Sequence, residues 1–354
     1  MKISDDWRAL TLSSRGREYP AGALIDKSGG WFSIFQHRFA PNRRNSLPQE
    51  EKGVSSGCPG RVFALVCALL LALLPNAASA IAVVDDEGNT LTLPTPARRI
   101  ISLAPHLTEM LYAAGAGGRL VGAVSYSDYP EAARALPRVG DYPRLNLEAI
   151  VKLQPDLLVA WQGGNDPTQL AKLRALGMRV FVTEPVRPGD VARLLEGFGK
   201  LAGSEAVAAQ AAKDFRHRLA TLENRYSQRP PVKVFYQIWQ APLMTVGKPQ
   251  VITQVIRVCG GVNIFERLDS LAPTVSLESV LAADPEAIIA TGMADARPEW
   301  LDDWKRWPRL LAMRHDNLFH INPDLIQRHT PRLLDGAEIL CNQLEAARQR
   351  RSAR

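Results

Sequence analysis

Asn146-Leu147-Glu148-Ala149-Ile150-Val151-Lys152-Leu153-Gln154-Pro155-Asp156-Leu157-Leu158-Val159-Ala160 recurs without a gap as Ser276-Leu277-Glu278-Ser279-Val280-Leu281-Ala282-Ala283-Asp284-Pro285-Glu286-Ala287-Ile288-Ile289-Ala290. Each copy reads as a capped short helix, a Pro-acid turn and an apolar strand. Two copies predict two similar lobes, and paired lobes commonly hold a ligand between them.

Outward from each copy the pattern continues. Around the first, strands are expected at 98–104, 120–124, 157–160 and 179–182, with helices at 107–114, 147–153 and 168–176. Around the second, a strand at 232–238, a helix at 251–259, a last strand at 318–321 and a final helix at 333–347 are expected. Ahead of both, 81–96 reads as a hairpin about an Asp-Asp-Glu-Gly-Asn turn. Alternating strands and helices predict parallel sheets. From Asp190 to Tyr226 no strand pattern occurs; Asp190 and Ser204 can each cap a helix, and nearly continuous helix is expected. The fold class is therefore α/β: two lobes with parallel-sheet cores, 97–188 and 229–347, joined by a long rigid α-helix at 189–228. Ligands of open α/β sheets bind beyond the carboxyl ends of the strands, which places a site between the lobes.

The formal charge of +7 is terminal. Residues 1–80 hold ten Lys/Arg against six Asp/Glu, residues 348–354 add four Arg, and the body between is close to neutral. With no basic face in the body, nucleic-acid binding is not expected, and 348–354 reads as a basic tail. Arg61, the apolar run from Val62 to Leu74 and Ala78-Ser79-Ala80 make a signal peptide at 61–80, cut near Ala80, so the mature chain is expected in the periplasm. The alternative is a permanent membrane anchor, against which the run is short of the roughly 20 residues of a spanning helix. Residues 1–60 are polar and aperiodic, and read as an unstructured or mis-annotated extension ahead of a later start. Cys259 and Cys341 are the two cysteines of the mature chain. In an oxidising compartment they read as one disulfide, the alternative being two buried thiols.

Six His are scattered without ligand spacing, so no protein-bound metal and no cofactor is expected. His106 and His329 stand near predicted helix starts, where either could approach a ligand. Asp128 and Asp141 could be paired acids, but no nucleophile accompanies them. Gly115-Ala116-Gly117-Gly118 follows a helix, which suits a C-cap rather than a phosphate loop. Trp300, Trp304 and Trp307 at helical spacing read as packing on the second lobe.

Ser125-Tyr126-Ser127-Asp128-Tyr129-Pro130, Asn146-Leu147-Glu148, Lys152-x-x-Pro155-Asp156, Trp161-x-Gly163-Gly164-Asn165 and Cys259-Gly260-Gly261-x-Asn263-Ile264-Phe265 resemble the periplasmic binding proteins of bacterial vitamin B12 and iron-chelate importers, the cobalamin type in particular. The resemblance covers roughly 97–345 and implies the helix-bridged (class III) architecture. It implies a corrinoid ligand, cobalamin or a relative, held by Tyr126, Tyr142, Trp161 and Asp324; Trp239 and Arg328 are further ligand-binding candidates. It implies that Glu148 and Glu278, one per lobe, dock onto the permease of an ABC transporter, that the protein is a monomer, and that it is not an enzyme. Two positions depart: Ile238 stands for a pocket Phe and Ala272 for a pocket Trp. Trp239 replaces the lost ring only if a local shift overrides strand alternation. Rival readings are a haem or ferric-siderophore binder, for which Arg144 and Arg328 would matter, and a two-lobed metal-cluster enzyme or scaffold.

Overall fold

The computed structural model describes residues 80–292 and 296–352. The extension at 1–60 and, Ala80 apart, the expected signal peptide lie outside these residues. The described chain opens with an antiparallel hairpin, β1 (Ile81–Val84) and β2 (Thr90–Leu93). Its turn closes on Asp85, whose Oδ1 accepts from the amides of Glu87 (3.1 Å) and Asn89 (2.8 Å).

The first lobe runs β3 (Ile100–Ser102), α1 (Pro105–Ala113), β4 (Leu120–Ala123), α2 (Leu147–Lys152), β5 (Leu157–Trp161), α3 (Pro167–Ala175) and β6 (Val180–Thr183). Its sheet is parallel, in the order β4-β3-β5-β6. Both faces are covered, so its strands are apolar throughout rather than alternating. Ile100, Leu157, Val159 and Phe181 face one core, while Ile101, Leu158, Ala160 and Val182 face another.

Between the lobes lie α4 (Asp190–Ala202) and α5 (Glu205–Tyr226). The nearly continuous helix expected at 189–228 is two helices that meet at Gly203-Ser204. Gly203, at φ 64°, ends α4 in the left-handed region that glycine tolerates, and the Ser204 amide reaches back to the Gly199 carbonyl (2.8 Å). The chain reverses there, and α4 and α5 pack along one another as a hairpin. Only α5 bridges; its 22 residues span about 33 Å.

The second lobe runs β7 (Val232–Trp239), β8 (Met244–Thr245), α6 (Val251–Val258), β9 (Gly261–Asn263), α7 (Leu277–Ala283), β10 (Ala287–Ala290), α8 (Leu311–Arg314), β11 (Leu318–His320), α9 (Pro323–Ile326) and α10 (Leu333–Ser352). The sheet order is β11-β10-β7, with β9 parallel to the start of β7 and β8 antiparallel to its end. The inner face of this sheet (Val234, Tyr236, Ala287, Ile289) belongs to the same core as the inner face of the first sheet. Val191, Leu195 and Phe198 of α4 and Ala208, Ala212, Phe215 and Leu222 of α5 complete that core.

Of the basic tail expected from charge at 348–354, the described residues 348–352 are helical. Helix α10 continues to Ser352, and its arginines bind carbonyls at the foot of the second sheet. Arg348 is 6% exposed and donates to the carbonyls of Pro230 (2.8 Å), Cys259 (2.7 Å) and Gly260 (3.0 Å). Arg351 donates to Pro231 and pairs with Glu286 (2.9 Å). The guanidiniums thus tie the end of α10 to the backbone at the start of β7 and the end of α6. Cys259 and Cys341 form a disulfide between the end of α6 and α10.

Candidate functional site

At the carboxyl end of β5, Trp161-x-Gly163-Gly164-Asn165 builds one wall. Asn165 is 3% exposed. Its Oδ1 accepts from the Trp161 amide (2.7 Å), and its Nδ2 donates to the carbonyls of Leu103 (2.8 Å) and Tyr142 (2.7 Å). One side-chain amide therefore holds the ends of two strands and the Tyr142 loop. The indole lies over Gly164, where a Cβ would come within 2.1 Å of the ring, so only glycine fits. The Gly163 amide donates to Glu184 Oε2 (2.7 Å). Burial raises the Glu184 carboxyl above its ordinary range, although the Gly163 bond opposes this. The Tyr142 and Trp161 rings sit 5.8 Å apart, and His106 meets Trp161 edge-on at 5.2 Å.

His106 and His329 do not stand open to a ligand. Both are buried, with rings 5.7 Å apart. Burial, then the charges of His329 and Arg328, hold His106 well below the usual imidazole range. Burial lowers His329 to about 4. Both are neutral packing groups at pH 7, where the two lobes meet.

The Ser125–Pro130 loop follows β4. Its Ser127 is buried, and the Thr108 hydroxyl lies within hydrogen-bond distance of Ser127 Oγ (3.0 Å) and Ser102 Oγ (2.9 Å). Arg138 donates to the Ser127 carbonyl (3.0 Å). On this anchored base Tyr126 is held at φ 63° with 75% of its surface exposed. A bulky residue in the left-handed region costs on the order of 1–2 kcal/mol.

The second lobe answers from the loop after β11. Asn322 caps α9 by accepting from the Asp324 amide (2.8 Å). Arg328 Nη2 pairs with Asp324 (2.9 Å) and Nη1 with Asp128 of the first lobe (2.8 Å). One turn on, Arg332 makes a bidentate bond to the buried Glu109 of α1 (2.7 and 2.6 Å), and its guanidinium lies 3.7 Å from the Tyr129 ring centre. The sequence marks Asp128 as part of the Ser125–Pro130 motif and offers no nucleophile for a paired-acid role; its carboxylate is engaged by Arg328. The Arg332–Glu109 pair had no sequence signal, because its members lie 223 positions apart.

Direct contact thus joins Tyr142 to Trp161 and Asp324 to Arg328, while Tyr126 stands on the loop that carries Asp128. Trp239 ends β7 on the second lobe. The β7–β8 register shifts between Gln237 and Trp239, so simple alternation fails there. The Trp239 indole donates to the Ala241 carbonyl (2.9 Å). Gln237 is held by Trp304 Nε1 (2.8 Å), and Trp300, Trp304 and Trp307 pack on the outer core of the second lobe.

Glu148 and Glu278 are exposed, each the second residue of its helix. Asn146 caps the first helix through the Ala149 amide (3.0 Å), and Ser276 caps the second through the Ser279 amide (3.1 Å). A groove lined by Ser227–Pro231 and Gly260–Val262 lies at the start of β7, at the opposite end of that strand from Trp239. Among the described residues no group of three or more His, Cys, Asp or Glu could hold a metal ion, and no helix is long and apolar enough to cross a membrane.

Residues 100–325 match the family of proteins described as periplasmic binding protein. A vitamin B12-binding protein of Vibrio cholerae is 39% identical over 260 residues, covering 73% of this chain and 93% of the relative. One from Yersinia pestis is 36% identical over 272 residues, covering 77% and 93%. The crystal structure of the periplasmic vitamin B12-binding protein of Vibrio cholerae matches with TM-score 0.66 at 38% identity, over 72% of this chain and 98% of that one. A periplasmic haem-binding protein solved with two haems shares the fold at 20% identity and TM-score 0.63, over 72% and 99%. The helix-bridged pair of parallel sheets, the strand-end site and the full-length relatives agree: the chain belongs to the periplasmic binding protein family.

Proposed function

We propose that the mature chain, released by cleavage near Ala80, works in the periplasm as a monomer, captures cobalamin or a closely related corrinoid between its lobes, and delivers it to an ABC importer without acting on it chemically. The observation that carries this reading is the Trp161–Tyr142 platform fixed by Asn165, in a chain 39% identical to a vitamin B12-binding relative. A corrin is a large flat ring with apolar faces and a rim of amides. Aromatic side chains cover such faces at low entropic cost, while a few polar groups orient the rim. Trp161, Tyr142 and the strained, exposed Tyr126 are the face contacts; Asp324 and Arg328 are the rim contacts. Trp239 takes the place of the ring lost at Ile238, aided by the register shift beside it. The core shared through α4 and α5 limits closure to small movements.

The test is titration of the mature protein with cyanocobalamin, cobinamide, haem and a ferric siderophore. Corrinoid binding tighter than the high-micromolar range is expected; binding of haem or siderophore alone would overturn the reading. Glu148 and Glu278 serve as the two docking points, because matched exposed carboxylates on matched helices offer a two-pronged ionic grip. Glu148→Ala with Glu278→Ala should abolish uptake in cells while leaving ligand affinity unchanged. Normal uptake by that double variant would remove the docking role.

A further inference from the structure

We infer that Asp128 sets ligand selectivity: by bonding Arg328 across the lobes it converts an anion-accepting guanidinium into a reader of neutral carboxamides. The inference rests on the corrinoid reading above. Arg328 is the group at the strand-end site best suited to a carboxylate, because its planar fork matches carboxylate geometry in two bonds. Here that fork is already occupied. Nη1 bonds Asp128 at 2.8 Å and Nη2 bonds Asp324 at 2.9 Å, with 15% of the Arg328 side chain exposed. One positive group thus bonds two negative ones. The two carboxylates remain 42% and 45% exposed, so an arriving ligand meets them directly.

The neighbouring cation is closed in the same way. Arg332 is spent on Glu109 and stacked on Tyr129, and the adjacent His106 and His329 are buried and neutral. Asp128 stays ionised at neutral pH. Burial alone would raise its carboxyl, but the hydrogen bond and charge of Arg328 hold it below the ordinary range. A primary carboxamide suits such a triad. Its N–H groups can donate to Asp128 or Asp324, and its oxygen can accept one of the guanidinium N–H groups left over. A carboxylate at the same place meets like charge and a guanidinium already engaged at both Nη atoms, a mismatch that costs tenfold or more in affinity.

The test compares cyanocobalamin with its purified monocarboxylic acid derivatives, each carrying one carboxylate in place of one rim amide. Dissociation constants are measured by calorimetry at pH 7.5 on the wild-type mature protein and on Asp128→Asn and Asp128→Ser. The wild type should prefer the all-amide ligand over at least one derivative by about tenfold or more. In both variants that ratio should narrow at least fivefold, chiefly because the derivative binds better. The wild-type preference should also shrink between low and high salt, which needs no variant. A ratio unchanged within twofold in folded variants, or a wild type that binds both ligands alike, overturns the role of Asp128 and leaves the corrinoid reading intact. Failure of the wild type to bind any corrinoid overturns the underlying reading instead.

Discussion

The two copies of the repeated segment use the same backbone device and finish it differently. In the first, the Asp156 amide donates to the Arg99 carbonyl (2.9 Å), and the carboxylate accepts from the amides of Arg98 (2.7 Å) and Arg99 (3.0 Å), locking β5 to β3. In the second, the Glu286 amide donates to the Lys233 carbonyl (2.8 Å), and Oε2 accepts the Lys233 amide (3.0 Å), locking β10 to β7. Arg99 and Lys233 then reach the carbonyls at the ends of α2 and α7, at Leu153 (2.6 Å) and Ala283 (3.1 Å). Gln154 and Asp284, each before the proline, both take φ 45°. The difference lies in what is left over. The second oxygen of Asp156 goes to another amide, whereas Oε1 of Glu286 receives Arg351 from α10. One residue past each copy of the repeat, the first carries Trp161, which ends β5, and the second Thr291, whose hydroxyl accepts from the Gln327 side chain (2.9 Å). The frame is common to both lobes; the aromatic platform belongs to one.

The strongest test of this asymmetry is covalent, since the disulfide serves only the second lobe. Replacing Cys259 and Cys341 together by Ala should cost about 2–5 kcal/mol in chemical denaturation, the range for native disulfides. Protection from hydrogen exchange should fall first in α6 and α10; an equal loss around α1 and α3 would count against a lobe-specific tie. Next, Trp161→Ala should weaken cobalamin binding by about 2–4 kcal/mol, 30-fold or more, as for a central aromatic anchor. Thr291→Ala should leave affinity within a few-fold. Similar effects at both positions would mean that the site is symmetric.

Buried His329 makes the lobe junction acid-sensitive. Its pKa is about 4 in the fold against about 6.5 in the unfolded chain. As pH falls below about 6.5 the unfolded state binds the proton and the native state does not, so stability declines until pH passes about 4. The loss is of order 3 kcal/mol. His106 adds to it in the same direction. His329→Gln should flatten the melting temperature between pH 6.5 and 4.5; an unchanged slope would assign the acid sensitivity elsewhere. Asp156→Ala and Glu286→Ala should each cost about 0.5–1.5 kcal/mol, the net worth of an ordinary hydrogen bond, because the freed amides are exposed to water. A large gap between them would show that the two turns are not equivalent. Smallest of all, Glu148→Ala and Glu278→Ala should each change stability by less than about 0.5 kcal/mol, as exposed first-turn acids do.

The sequence carried the repeat, the parallel sheets and the strand-end position of Trp161, because each is written in local periodicity and turn chemistry. It also marked a break at Gly203-Ser204 through a candidate serine cap; the reversal was not legible, because the Ser204 hydroxyl turns to the distant Ala114 carbonyl (2.7 Å) rather than to its own helix. The end of the chain misled for another reason. Arg348, Arg350 and Arg351 look like solvated charge until Pro230, Cys259 and Asn317 are brought to them. The Asn165 bonds explain a motif that sequence reading could recognise but not account for. Asp128–Arg328 and Glu109–Arg332 were illegible, since neither member of either pair marks its distant partner.

The core shared through α4 and α5 has a consequence for dividing the chain. A lobe expressed alone would present Ala208, Ala212, Phe215 and Leu222 to water, an apolar patch that favours aggregation or reassembly with the missing half.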